Sequence, residues 1–423
     1  MKIVHIMNWY IPKMGYQENY LPSEQKKLGY DVEIITSDRI PPFKEFRGEF
    51  QDEERIIGKG LFEENNVTIH RLPVLLESKE SNQVILMGLK SKLRELKPNI
   101  VHVHGEINPV TLQTIICCKR LRFKVFVDSH SNSDNFKLNS PLKRLYYKSA
   151  KVFYIIFGKR VQCWLPITSA SKDLLTEYFG ISEKHMELLP LGVNTNRFFK
   201  CKESREANRI KLGYSEDEFV LVSSGKFDTS KKIDILIKAF SIVVKEVPKL
   251  RLLLIGKGSS EYMNYLNSII ESDSLNEYIR ILNFVDNSEL GIYYNLADVG
   301  VWPGTSSISV IEALGTELPL ILPKGNDDYK VVFDASAAID FEKNNIYSLV
   351  TALKSLIRSP EMRLELSNNA RILVKEELSW EKVAEKSIGI YCGSRPKVKG
   401  LVGCPPGSSQ RGDGSGIPGR FGQ

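Results

Sequence analysis

Short runs of valine, isoleucine and leucine recur along the chain, and a stretch with helical spacing of its apolar residues follows almost every one. That alternation is the pattern of parallel sheets joined by crossover helices, and it excludes all-helical and sandwich architectures. The first series reads KIVHIMN, DVEIITS, VTIHRL, IVHVHG, KVFVDSH, CWLPIT and MELLPLG. A charged segment, NTNRFFKCKESREANRIKLGYS, interrupts it, and a second series begins with FVLVSSG, LRLLLIG, YIRILNFV, DVGVWP, LPLILP and AAIDF. The spacing predicts helices over 20–28, 86–96, 112–121 and 140–157 in the first half, and three more, 346–357, 361–376 and 380–391, near the end. The expected organisation is an α/β pair of facing Rossmann-like domains, 1–195 and 196–376, with parallel sheets and a cleft between them. A helix over 377–392 is expected to pack back toward the first domain.

Composition narrows the setting. No segment has the roughly 18 uncharged apolar residues of a membrane-spanning helix, and MKIVHIMNWY runs into a strand without a signal-peptide pattern. The expected location is cytoplasmic, with peripheral attachment to the inner face of the membrane as a further option. Six cysteines show no CxxC or Cys/His metal spacing, so reduced thiols are expected. Of the net charge of +7, +4 belongs to residues 393–423, a Gly/Pro/Ser-rich basic stretch that cannot bury enough surface to order itself. It is set aside from the fold, and its composition is also that of an appended, non-native tail. The remaining chain is only mildly basic, which argues against nucleic-acid binding.

Four stretches carry chemistry. In Pro12-Lys13-Met14-Gly15-Tyr16, after the first strand, glycine lets backbone amides approach a phosphate or sugar at a helix start. Val125–His130 ends a strand in polar residues, which puts His130 at the mouth of the cleft; His102 and His104 on the neighbouring strand read as structural. GKFDTSKKIDILIKAF places Gly225, Lys226 and Lys231 between a strand and a helix. Cations are unfavourable at a helix N-terminus, so an anion such as a diphosphate would account for them. In the last stretch, Val301–Leu314, a strand ends at Pro303 and a small polar loop leads into a helix near Ser309. There Ser306, Ser307, Ile308 and Ser309 can present amides and hydroxyls to phosphate. Glu312, one turn inside, can accept two ribose hydroxyls.

Together these stretches resemble the retaining glycosyltransferases of family 4 (glycosyl transferases group 1), from Met1 to about Tyr391. The resemblance rests on PKMGYQENYLPSEQKKLGYDVEIITSDR, IVHVHG, KVFVDSH, LLPLGVNTNRF, GKFDTSKKIDILIKAF, DNSELGIYYNLADVGVWPG and SVIEALGTELPLI, in that order. It implies the GT-B fold. It further implies that Lys226 and Lys231 meet the donor diphosphate, with Lys226 where the family usually has arginine. By the same resemblance Glu312 would hold the ribose, His130 would sit by the donor sugar, and Gly15 would face phosphates and acceptor, with Tyr16 in place of a second glycine. Phe284 and Val285 would border the nucleobase. The family's first glutamate is missing: eight positions before Glu312 stands Gly304, in a loop shorter than usual.

The implied activity is hexosyl transfer with retention, from a UDP-, GDP- or ADP-linked sugar to a glycan or lipid-linked acceptor hydroxyl. Its setting would be cell-surface polysaccharide, O-antigen, lipopolysaccharide or glycolipid synthesis. No Asp-x-Asp occurs, so neither a metal nor another cofactor is expected. Residues 137–160 mix basic and aromatic side chains and could lie on an anionic membrane. The alternatives are a nucleotide-sugar 2-epimerase of the same fold and a non-enzymatic nucleotide-sugar-binding protein. Dehydrogenase chemistry is disfavoured because no GxGxxG follows a strand.

Overall fold

Residues 1–42, 54–78, 83–131 and 141–393 are described by a computed structural model of the chain. In the first half the strands are β1 (Lys2–Ile6), β2 (Asp31–Ser37), β3 (Gly60–Glu64), β4 (Val67–Leu72), β5 (Val74–Ser78), β6 (Gln83–Leu86), β7 (Ile100–Val103), β8 (Lys124–Ser129) and β9 (Val161–Pro166). Seven of them form one sheet in the order β3-β4-β2-β1-β7-β8-β9, while β5 and β6 make a separate hairpin. The second half has β10 (Phe219–Ser224), β11 (Leu250–Ile255), β12 (Ile279–Leu282), β13 (Val299–Val301), β14 (Leu320–Pro323) and β15 (Ala338–Phe341), ordered β12-β11-β10-β13-β14-β15. The continuous apolar sequences of the central strands reflect burial on both faces: β7 is buried throughout, and β10 and β11 nearly so.

Two features depart from the expected pattern. The first sheet is not wholly parallel, because β3 runs antiparallel to β4. Asn65 and Asn66, at φ of 51° and 63°, make the two-residue turn between them, a conformation asparagine tolerates well. MELLPLG forms no strand. Its backbone meets β9 in a single parallel bridge of Met186 with Trp164, with Glu187 N–H donating to Trp164 O and Leu189 N–H to Pro166 O, and Pro190 has no N–H to continue a ladder.

Six helices position the site: α1 (Gln17–Lys27), α2 (Pro141–Phe157), α3 (Ile233–Val243), α4 (Asn287–Leu296), α5 (Ile308–Gly315) and α6 (Trp380–Cys392). The last returns to the first half, where Trp380, Val383, Ala384 and Ile388 join a core with Ile3, Leu21, Val32 and Phe126. At that crossing Val193 N–H donates to Leu378 O and Trp380 N–H to Val193 O. Among the described residues no helix is long and apolar enough to cross a membrane. The 393–423 tail, save Gly393, and residues 137–140 of the basic aromatic stretch lie outside the described residues.

Strand order singles out two places. In the first sheet connections leave β1 in opposite directions toward β2 and β7, and in the second they leave β10 toward β11 and β13. Such reversals open a crevice at the carboxyl ends of the strands, where open α/β sheets bind ligands. The Gly15 loop follows β1, Gly225 follows β10, and the Pro303–Ser307 loop follows β13.

Candidate active site

In the second half, the β10 and β13 loops are stitched into one wall. Gly225 lies so near the start of α5 that a side-chain Cβ there would be 3.5 Å from Ser307 Oγ. Asp228 then turns the chain, accepting from Ser230 N–H at 2.8 Å, and Lys232, at φ 57°, leads into α3. The Lys231 ammonium donates to the carbonyl oxygens of Thr305 (3.1 Å) and Ser306 (2.5 Å). Its charge is therefore directed across to the β13 loop and away from the first turn of α3. Thr305 N–H donates back to Ser230 O at 3.1 Å. A small cavity between the loops is bordered by Lys226, Lys231, Pro303 and Gly304.

This packing accounts for Gly304. A Cβ there would fall 2.2 Å from Ser230 O and 2.5 Å from Lys231 Cα, both backbone atoms that cannot swing aside. No glutamate fits at that position; the lysine turn fills the space. Gly304→Ala should therefore destabilise the fold by about 1–3 kcal/mol through overpacking, seen as a lowered thermal midpoint in the ligand-free protein.

Glu312 lies on α5, one turn from its start, with 6% of its surface exposed. Asn287 Nδ2 donates to Glu312 Oε1 at 2.6 Å, and Arg197 Nη1 donates to Asn287 Oδ1 at 2.6 Å. The arginine thus reaches the carboxylate only through an amide. Burial pushes the Glu312 carboxyl up to about 7, against the opposing pull of Asn287 and Arg197. The first half closes over this chain of groups at Gly15, in the left-handed region at φ 81°. A Cβ at Gly15 would sit 3.3 Å from Asn287 Oδ1 and 3.6 Å from Arg197 Nη1. Asn19 of α1 fixes the loop by accepting from Gly15 and Tyr16 N–H groups.

On the first sheet, His130 follows β8 with its side chain 39% exposed, its Nε2 3.5 Å from the fully buried Asp128 Oδ2. Burial opposes charge on this imidazole, but Asp128 outweighs it and pushes the group up to about 9. His102 Nε2 and His104 Nδ1 approach the same oxygen at 3.3 and 2.6 Å. Among the described residues, His104, Asp128 and His130 form one triplet with the spacing to hold a metal ion, and His5, His102 and His104 form a second.

Residues 20–197 match the model of Glycosyltransferase Family 4, and residues 204–373 match that of Glycosyl transferases group 1. The chain belongs to the family 4 glycosyltransferases. An alpha-monoglucosyldiacylglycerol synthase of Acholeplasma laidlawii is 28% identical over 363 residues, covering 82% of this chain and 85% of that protein. A second synthase of that name, from Streptococcus pneumoniae, is 23% identical over 64% of this chain and 61% of its own length. Among solved structures, the Anabaena protein HepE in complex with UDP superposes with a TM-score of 0.71 at 12% identity, over 93% of this chain and 100% of that one. A glycosyltransferase from Rickettsia africae gives 0.71 at 15%, covering 94% and 99%. These likenesses establish the GT-B fold.

Within this glycosyltransferase, Gly225, Lys231, Ser306, Ser307, Ile308 and Ser309 gather on the second-half wall, Lys226 stands exposed beside them, and Gly15 meets the Glu312 chain. Ser306 Oγ donates to Asp328 Oδ2, and Ser307 Oγ to Ser309 Oγ, so the serines also brace the loop. Phe284, after β12, is 78% exposed, whereas Val285 packs toward the core. His130 stands on the opposite half. Arg197, Asn287 and Asp128 were not singled out from sequence. Each lies inside a stretch that carries the resemblance (LLPLGVNTNRF, DNSELGIYYNLADVGVWPG and KVFVDSH) as one polar residue among several, with nothing local to mark it.

Proposed function

We propose that this glycosyltransferase moves a sugar from a nucleotide-diphosphate sugar to the hydroxyl of a lipid-linked acceptor, with retention at the anomeric carbon and without a metal. The reading is supported above all by one juxtaposition: a lysine-bearing wall and helix start on the second sheet, with a glycine loop of the first sheet seated over a buried glutamate beside it. Lys226, Lys231 and the first-turn amides of α5 stabilise the charge that grows on the leaving diphosphate. Glu312 accepts the ribose hydroxyls. His130, held by Asp128, donates to a sugar hydroxyl. The bond from anomeric carbon to diphosphate breaks, the acceptor oxygen bonds on the same face, and its proton passes to the leaving phosphate.

The acceptor class is supported by the names of the relatives and by α2. Leu145, Val152, Ile155 and Ile156 are each more than half exposed on this helix, beside exposed Lys148 and Lys159. Apolar side chains with flanking cations suit an anionic bilayer surface. Flotation should carry the protein up with vesicles rich in anionic lipid at low salt. Ile155→Ser with Ile156→Ser should weaken that binding about tenfold without lowering the thermal midpoint; equal flotation of variant and parent would remove α2 from this role.

A thermal-shift series with UDP, GDP, ADP and their sugar conjugates tests the donor class. A ligand at a hundredfold its dissociation constant adds about 2.7 kcal/mol of stability. Transfer from the stabilising donor to diacylglycerol-containing vesicles is then expected. A donor bound but never transferred to any acceptor would support a binding protein instead.

A further inference from the structure

We propose that Asp128 and Tyr391 are positioning residues for His130: the C-terminal helix α6 closes a buried ring of hydrogen bonds and charge-pair contacts in the first sheet, and that ring fixes the imidazole at the cleft. The proposal deepens the transfer reading, because it takes His130 as the group that meets the donor sugar.

The ring can be walked from α6. Tyr391 OH lies 2.6 Å from His102 Nδ1, and His102 Nε2 lies 3.3 Å from Asp128 Oδ2. His104 Nδ1 approaches that oxygen at 2.6 Å, and its Nε2 is 2.9 Å from His5 Nδ1. His5 Nε2 lies 2.7 Å from Gln25 Oε1, and Gln25 Nε2 returns to Tyr391 OH at 3.3 Å. His5, Gln25, His102 and Asp128 are wholly buried, and Tyr391 and His104 nearly so. The second Asp128 oxygen accepts from Gly105 N–H at 2.7 Å.

Apolar residues of like volume would pack such a site at no loss of stability, so six polar groups there point to a role beyond holding the fold together. The outward contact of the ring shows which role. Only His130, of the imidazoles around Asp128, is substantially exposed. It occupies the cleft edge, while the others wrap the carboxylate from behind. A carboxylate gripped by two imidazoles and one amide cannot swing, and an imidazole set against it keeps one orientation. The grip is complete only with α6 in place, since Tyr391 is the partner of His102 Nδ1 and shares Gln25 Nε2 with Ser387 of the same helix. Transfer thus depends on a helix whose sequence lies far from every reacting atom.

Tyr391→Phe removes one oxygen and keeps the ring packed at a tilt against Phe126, with centroids now 4.7 Å apart. The full chain, with histidine rings labelled in nitrogen-15, gives signals from six histidines, and loss of one set in His130→Gln assigns that residue. Tyr391→Phe is expected to shift the His130 ring-nitrogen signals and to lower kcat about tenfold with donor KM within twofold. Asp128→Asn is expected to lower kcat about 100-fold, the scale of a misplaced reacting group. Unchanged His130 signals in folded Tyr391→Phe would overturn the proposal. If Asp128→Asn does not fold, the tyrosine variant carries the test. If the parent protein transfers no sugar, the transfer reading fails, while the nitrogen spectra still decide the positioning.

Discussion

Lys231→Ala is expected to lower kcat/KM for the donor by about 10²–10³-fold, the scale of losing one preorganised donor to a developing anion. The lysine combines two tasks. Its ammonium brings positive charge to the wall where the diphosphate would lie, and its bonds to Thr305 and Ser306 carbonyls hold the β13 loop against the Ser230 turn. Alanine removes both. Lys231→Met keeps the packed stem but loses the charge and those bonds together, so it separates the ammonium from the stem: comparable losses in the two variants assign the effect to the ammonium. A much milder loss in the methionine variant assigns it to loop packing. Donor kinetics at fixed acceptor, with a thermal midpoint to confirm folding, make the measurement.

Glu312→Gln is expected to act in opposite directions on binding and stability. Two ribose hydroxyls bonded to a carboxylate contribute about 1.5–3 kcal/mol each, so donor affinity should fall at least tenfold. In the ligand-free protein the carboxyl titrates near 7 in place of its ordinary 4.5. The folded state then holds a proton that the unfolded chain has released between those values, so this group's contribution to stability declines as pH rises through that window. The decline amounts to at most about 3 kcal/mol. Glutamine carries no such penalty. Its variant should match the parent near pH 4.5 and exceed it in denaturant midpoint at pH 8, and the parent's donor affinity should rise with pH through 7. A variant less stable than the parent at pH 8 would contradict the burial argument.

Much of the fold was legible because burial on two faces writes itself into composition. The strands DVEIITS, FVLVSS and LRLLLI could hardly be anything but interior parallel strands. The antiparallel β3 was missed because Gly60–Phe62 and Glu63 are exposed, which leaves GLFEE without an apolar face to read. MELLPLG failed for the opposite reason: apolar content suggested a ladder that Pro190 denies. At the site, residues tied to chain turns were readable, since lysines crowded with glycine between a strand and a helix call for a tight turn beside an anion. The missing glutamate was visible as a count, but its cause was not. Only the tertiary contact of Gly304 with Ser230 O explains it. Asn287, Arg197 and Asp128 gain meaning from neighbours 25, 90 and 2 positions away in sequence, a spread that no local period encodes.

The central claim is that a nucleotide diphosphate lies between the sheets, against the lysine wall. A crystal structure of the full chain with the donor identified by thermal shift tests it most directly. Diphosphate oxygens within hydrogen-bond reach of Lys231 and the first-turn amides of α5, with the ribose on Glu312, are the predicted result. A nucleotide seated elsewhere, for example in the separate polar cavity between Tyr20, Lys27 and Asn196, with Glu312 still bonded to Asn287 alone, would contradict it.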